Sequence, residues 1–367
     1  MSINKTERIL VLGSYGRGNT GDDAFLLAAI ALFPGVRLYS NAANKELLPR
    51  EARDIVETIA TTNQSVHDIS QKAQVFWSIQ NIVYCGGDLW AELYGERFPR
   101  KSLYRMALLN IFARLTGKKV FYIGCGVGKL SGYSLWLARL SARMADGILV
   151  RDKRSAVLLH LPQVEIAPDL AINLPYYQPK RTAKKRRAIR VGISVLYFVP
   201  NPKRNFPHLV NGIASFINAL PADAEIFLLP MLVSREIDHD DLWASEQVRA
   251  QVPDRGVRIV AAQDVMRCIK IMHDLDFVVA ARLHANILAT LSGTPCLGIS
   301  YRPKVASFFR ENGLEEYCID ITELDQLEPT FVRMLSQETK VRCKFRAVSK
   351  QNLEERSVYQ AFIDRHF

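Results

Sequence analysis

The residues best suited to chemistry lie in Ala281-Arg282-Leu283-His284-Ala285-Asn286, between the apolar run Phe277–Ala280 and a helical stretch, and in Ser300-Tyr301-Arg302-Pro303-Lys304, again at the end of an apolar run. Arg282 and His284 alternate, so in an extended segment both face one side; Lys304, with Ser300 and Tyr301, joins them from the neighbouring crossover. Two permanent cations beside an imidazole, which titrates near ~6.5, suit a phosphate-bearing anion that must receive a proton. The competing expectation is a histidine held by hydrogen bonds for structure alone. His67, His160, His208 and His239 have no such company, and no His-x-x-x-His or Cys/His spacing predicts a metal.

A second set of polar residues falls in the first half. Arg151, in Val150-Arg151-Asp152-Lys153-Arg154-Ser155, ends a strand and enters a helix. Its guanidinium fork fits a carboxylate or phosphate, although an exposed ion pair at a helix start reads the same way. Glycine loops stand at three strand ends: Gly16-Arg17-Gly18-Asn19-Thr20-Gly21, Gly86-Gly87-Asp88 and Gly124-Cys125-Gly126-Val127-Gly128. Glycine lets backbone turn or approach a ligand closely, so these loops predict either tight turns or a floor for a polar substrate. Asp169, in Ala167-Pro168-Asp169, either orients a hydroxyl or caps a turn.

Gly16–Gly21 spells the pattern of dinucleotide-binding turns, after a strand and before a helix. A nicotinamide site also needs an acidic residue at the end of the second strand, where this chain has Tyr39-Ser40-Asn41-Ala42. Asp22 and Asp23 at the helix start can cap N–H groups but repel a diphosphate. The loop is therefore expected to bind no dinucleotide and to be a turn or a contact to another ligand.

The elements that must position these residues alternate between short apolar strands and helices. Strands are expected at Ile9–Gly13, Arg37–Ser40, Ile82–Cys85, Val120–Gly124 and Gly147–Arg151, then at Arg190–Tyr197, Glu225–Leu232, Val257–Ala261, Phe277–Arg282 and Cys296–Ser300. Helices are expected at Asp23–Phe33, Leu209–Leu220, Asp264–Met272, Ala285–Leu291 and Lys304–Glu311. This is the pattern of an α/β chain with two facing doubly wound, Rossmann-like domains: 1–178, a basic linker 179–188 and 189–367, the last helix being a candidate to pack back on the first domain. Ligands of such sheets bind beyond the carboxyl ends of the strands, so the expected site is a cleft between the halves.

Composition excludes several classes. The chain has 367 residues, 49% hydrophobic and 23% charged, which fits two cores and not a disordered protein. Its apolar runs, Ala24–Phe33 and Ile226–Val233, are too short to cross a bilayer, and no signal peptide is expected. Six scattered cysteines predict reduced thiols in a cytoplasm. The net charge of +11 is concentrated: residues 1–179 hold 21 basic and 15 acidic residues, 180–190 seven and none, 191–367 20 and 22. The run Lys180–Arg187 lacks interleaved aromatics, so it is expected to be a solvated linker or a contact to an anionic membrane, with no nucleic acid as partner.

The short segments GNTGDDAFL (18–26), GGDL (86–89), GCGVGKL (124–130), VRDKRS (150–155), APDLA (167–171), RLHANILATLSGTP (282–295) and ISYRPKVASF (299–308) resemble the polysaccharide pyruvyltransferase family in content and order. Cys85 stands where many relatives have a third glycine, and Arg302 where an aspartate often precedes the proline and lysine. The resemblance implies a GT-B fold and ketal formation on a sugar of a glycan or glycolipid, with phosphoenolpyruvate as co-substrate and no separate cofactor. It implies His284 as the acid and Arg282, Arg151 and Lys304, with Ser300 and Tyr301, as donor ligands. Asn19, Asp22, Gly86, Gly87, Asp88, Gly126, Gly128 and Asp169 are the implied acceptor contacts. The alternative on the same fold is a nucleotide-sugar-dependent glycosyltransferase.

Overall fold

The computed structural model describes residues 7–59, 65–92, 100–174, 188–197, 202–234, 240–261 and 264–367. The basic run Lys180–Arg187 and His239 lie outside these residues. Two compact units divide the chain: unit 1 is Met1–Arg17, Asp22–Pro175 and Leu353–Phe367, and unit 2 is Gly18–Gly21 and Tyr176–Asn352.

The sheet of unit 1 has strands β1 (Arg8–Leu12), β2 (Arg37–Ser40), β3 (Val56–Thr58), β4 (Asn81–Cys85), β5 (Lys119–Cys125), β6 (Gly147–Val150) and β7 (Val164–Ile166) in the order β3-β2-β1-β4-β5-β6-β7. All pairings are parallel. The central strand β4 is buried at every position, which is why it reads Asn-Ile-Val-Tyr-Cys without polar alternation. The helices are α1 (Thr20–Leu32), α2 (Arg50–Arg53), α3 (Val66–Ser78), α4 (Lys101–Leu115), α5 (Gly132–Arg143) and α6 (Lys153–Leu159). Leu103, Met106 and Ala113 of α4 and Leu137, Ala138 and Ala142 of α5 join Tyr84, Trp90 and Tyr122 in one core. Tyr84 and Tyr122 stack at 4.6 Å, and their hydroxyls are satisfied by Asn110 at 3.0 and 2.6 Å, so a polar residue is tolerated in the middle of that core.

Unit 2 repeats the plan with β8 (Arg190–Ser194), β9 (Glu225–Leu228), β10 (Arg258–Ile259), β11 (Phe277–Ala280), β12 (Cys296–Ser300) and β13 (Cys318–Asp320), ordered β10-β9-β8-β11-β12-β13. Its pairings are also parallel. Its helices are α7 (Pro202–Ala219), α8 (Asp241–Ala250), α9 (Val265–Asp274), α10 (Leu283–Leu291), α11 (Pro303–Glu311), α12 (Leu327–Ser336) and α13 (Glu338–Glu354). The chain then enters α14 (Arg356–His366), which belongs to unit 1. There Tyr359 Oη donates to the Pro168 carbonyl at 2.5 Å, Arg356 donates to the carbonyls of Ile172 and Leu174, and Phe362 meets Phe121 edge-on at 6.2 Å.

Several strands are shorter than their apolar runs. β9 stops at Leu228, two residues before Pro230, which has no N–H to continue a ladder. β11 stops at Ala280 because α10 begins at Leu283. β5 runs past Gly124 to Cys125, with a register shift against β6 there; Gly124 has φ +68°.

Candidate active site

In unit 2, β11 and β12 are parallel neighbours with Ala280 opposite Gly298, so the segments following them emerge side by side. Arg282 is the N-cap of α10 and His284 its second residue. This corrects the expectation of an extended, alternating pair: the strand ends first, and a helical turn sets the angle between the two side chains. The turn is pinned by buried Asn286, whose Nδ2 donates to the Ala280 and Arg282 carbonyls, each at 3.0 Å. Arg282 donates from Nε and Nη2 to the two carboxylate oxygens of Asp241 at 2.8 and 2.5 Å. Asp241, wholly buried at the start of α8, also accepts from the Met231 and Leu232 amides at 3.1 and 3.0 Å. Burial pushes its carboxyl above the usual carboxylate range, against the pull of Arg282 and those amides.

Lys304 is the second residue of α11 and is half-buried. Ser300, at the end of β12, donates to the Arg302 carbonyl at 3.3 Å, and the buried Tyr301 ring lies 5.6 Å from the Arg302 guanidinium. Neither α10 nor α11 has a side-chain N-cap. Two neighbouring helix starts, each carrying partial positive charge, thus lie beside the Arg282–Asp241 pair and Lys304 at one sheet edge.

Part of the N-terminal glycine loop belongs to this unit. Thr20 N–H donates to the Met231 carbonyl at 2.9 Å, Val233 N–H to the Gly18 carbonyl at 3.0 Å, and Asn19 accepts from the Gly21 amide at 3.1 Å. Gly18, at φ +74°, would place a Cβ 2.0 Å from the Val233 oxygen. A Cβ on Gly21 would fall 2.0 Å from His284 Nδ1, so the start of α1 lies against the imidazole. Asn19, expected beside the other acceptor contacts, therefore lies with the residues expected to bind donor.

Unit 1 gathers a different group. The Arg151 guanidinium, 6% exposed, pairs with Asp88 and lies 3.6 Å from Asp169 and 3.8 Å from Asp152. Burial opposes its charge, but the three carboxylates outweigh that and raise its pKa. Asp152 caps α6 at the Ser155 amide (2.7 Å), and Asp169 caps a turn at the Ala171 amide (3.0 Å). Gly126 is needed here, since a Cβ would come within 2.9 Å of Arg151 Nη2 and 3.0 Å of Asp88 Oδ1. Gly86 and Gly87 take φ +68° and +73°, and a Cβ on Gly87 would meet nothing within 4 Å, while Gly128 packs against Ala91. Asp22 is half-buried in the first turn of α1.

Asp23 does not cap α1. Its Oδ1 accepts from the Gly16 amide at 2.8 Å, closing the loop back on itself, and its Oδ2 has no hydrogen-bond partner among the described residues. Burial lifts its carboxyl to about 7, opposed by the Gly16 hydrogen bond. Asp241 is the residue sequence reasoning missed; the acidic run Asp238-His239-Asp240-Asp241 was its only signal, and nothing local tied it to Arg282.

The fold is shared with solved structures at low identity. The Anabaena protein HepE in complex with UDP and glucose matches with a TM-score of 0.67 at 15% identity, over 98% of this chain and 99% of that one. UDP-GlcNAc 2-epimerase from Neisseria meningitidis matches at 0.60 and 12%, over 95% and 99%, and the spinosyn rhamnosyltransferase SpnG with thymidine diphosphate at 0.56 and 14%, over 98% and 99%. These neighbours make the architecture the doubled Rossmann-like GT-B type. No curated protein matches the sequence. The family polysaccharide pyruvyl transferase matches residues 19–303, a span running from the Asn19 loop through Arg282 and His284 to the start of α11, and the chain is a member of that family of enzymes.

Proposed function

We propose that this enzyme transfers the enolpyruvyl carbon skeleton of phosphoenolpyruvate to two hydroxyls of one hexose or N-acetylhexosamine in a glycan or glycolipid, giving a pyruvate ketal and phosphate. The observation that supports it best is the juxtaposition in unit 2 of Arg282, His284 and Lys304 at two uncapped helix starts, the first two residues inside the span of the family match and Lys304 one residue beyond it. Arg282, oriented by Asp241, and Lys304 hold the donor's carboxylate and phosphate, with Ser300 and Tyr301 beside them. His284 protonates the methylene carbon; a sugar hydroxyl attacks the resulting cationic carbon; the bond to phosphate breaks; and a second hydroxyl closes the ring. Of the two hydroxyl protons released, one restores His284 and the other leaves on phosphate. No separate cofactor enters this scheme.

Acceptor recognition is assigned to Asp22 and the strand-end glycine loops of unit 1. Arg151, first expected to hold the donor, is assigned to fixing the loops of Asp88 and Asp169. The enzyme is placed in the cytoplasm, at the inner face of the membrane where a glycolipid acceptor would be presented.

His284→Gln is expected to keep phosphoenolpyruvate binding within a few fold while kcat falls by about 100-fold, the scale for losing a positioned general acid. Near-normal turnover by the folded variant would remove His284 from the acid role. The rival reading draws on the nucleotides bound to the solved neighbours. Thermal-shift titration decides between them: stabilisation by phosphoenolpyruvate but not by UDP-glucose favours pyruvyl transfer, and the reverse favours a glycosyltransferase.

A further inference from the structure

The outer face of α4 is apolar where solvent-facing helices are polar. Tyr104, Leu108, Ile111 and Leu115 recur at helical spacing along the side turned away from the core, and Leu108 and Leu115 are 67% and 80% exposed. The opposite side of the same helix is already spent on the unit 1 core through Leu103, Met106 and Ala113. An exposed apolar stripe opposite the side that a helix gives to the core marks an interaction surface. The flanking helices extend the patch: on α5 Tyr133 and Trp136 stack at 5.8 Å, 49% and 52% exposed, and on α3 Trp77, 66% exposed, lies 6.4 Å from Phe112. Tyr104 and Tyr133 join the two sides through their hydroxyls at 3.0 Å.

The charge of this region identifies the occupant. Residues 100–143, which contain α4 and α5, include Arg100, Lys101, Arg105, Arg114, Lys118, Lys119, Lys129, Arg139 and Arg143 and no aspartate or glutamate. Lys101, Arg105, Arg114 and Lys119 are exposed. Arg100 and Arg114 are paired with Glu92 and Asp146, which flank this stretch; a second copy of this chain would place the remaining cations against one another, whereas an anionic surface attracts them. Exposed Trp and Tyr beside leucines and basic residues are also the composition that settles at the headgroup level of a bilayer. No helix among the described residues is long and apolar enough to cross a membrane.

We propose that the α3–α4–α5 face of unit 1 docks on an anionic lipid bilayer, with Leu108, Phe112 and Leu115 entering the interface and the basic residues of α4 and its following turn contacting headgroups. The inference deepens the proposed function, resting on it only for the purpose of the contact, that of meeting a membrane-held acceptor. Vesicle co-sedimentation without substrates separates the two: lack of binding would defeat the docking face and leave pyruvyl transfer to soluble acceptors untouched.

The test uses the full chain with vesicles of phosphatidylcholine alone or with about one-third phosphatidylglycerol. Binding is expected to the anionic vesicles, weakening as salt rises, and to fall at least tenfold in Leu108→Glu/Leu115→Glu, with circular dichroism and soluble-acceptor turnover retained. Arg105→Gln/Lys119→Gln should weaken it less and flatten its salt dependence. Equal binding by the leucine variant and the wild type would overturn the proposal. So would loss of binding only when the six basic residues of 180–187 become Gln, or a wild-type dimer that Leu108→Glu/Leu115→Glu dissociates and that shows no affinity for vesicles.

Discussion

Arg151 in unit 1 and Arg282 in unit 2 both stand at the turn from a parallel strand into a helix, and their environments make them do different things. Each Arg151 nitrogen faces a different carboxylate, that of Asp88, Asp152 or Asp169, and its side chain is 6% exposed. The group carries excess negative charge, so a further anion there would have to displace a carboxylate and lose a buried pairing. Arg282 meets the carboxylate of Asp241 through two of its nitrogens, and its side chain is 16% exposed. That pair lies beside Lys304 and the starts of α10 and α11, neither of which has a side-chain cap. One arginine is a strut among acids; the other is an aimed cation.

The largest test of this contrast is Arg151→Met, which leaves three carboxylates facing one another. Breaking a buried ion cluster from one side costs about 3–5 kcal/mol, so the urea midpoint should fall steeply. A loss below about 1 kcal/mol would mean that the cluster is not structural. Arg282→Ala should act on function: the KM for phosphoenolpyruvate is expected to rise about 10-fold or more, the scale of one charge-assisted contact. Asp241→Asn should move KM the same way by less, because it releases the guanidinium without removing it. An unchanged KM in both would leave Arg282 as a strut too.

Gly21→Ala sharpens the comparison from the loop side. With a Cβ aimed within 2.0 Å of His284 Nδ1, the imidazole has to move, and kcat should fall about 10-fold while Arg282-dependent donor binding holds. Steady-state kinetics that show only a KM effect would mean that the loop reports on binding and not on the acid.

The smallest effect belongs to Asp23. Its folded-state pKa of about 7 lies above the ordinary carboxylate value, so the folded chain holds a proton that the unfolded chain has lost, and stability falls as pH rises from about 4 to 7. Asp23→Asn removes that dependence. The Tm of the variant relative to wild type should therefore climb by a few degrees between pH 5 and 8; a constant difference across that range would show that Asp23 stays ionised throughout.

Much of the fold was legible because parallel strands buried on both faces read as unbroken apolar runs, as in Phe277–Ala280 and Cys296–Ser300. The positions of the site residues at strand ends were legible for the same reason. Their partners were not. Asp88 lies 63 residues from Arg151 and Asp241 lies 41 from Arg282, and pairing across such distances depends on strand order, which local spacing does not encode. The alternation of Arg282 and His284 misled because an apolar run does not mark where the ladder stops and the helix turns. Asp169 could be read two ways, and its bond to the Ala171 amide makes it a turn cap.

The return of α14 to unit 1 has a consequence for biosynthesis. A ribosome delivers β1 to β7 first, yet Phe121, the Pro168 carbonyl and the Ile172 turn keep their partners waiting until residues 353–367 have been made, after the whole of unit 2. The first half of the nascent chain must therefore wait with an apolar strip of its sheet uncovered, while the second half is free to complete its own core. Such a chain should depend on chaperones during synthesis, and premature stop codons before residue 353 should yield an aggregating product in place of an isolated, soluble first unit.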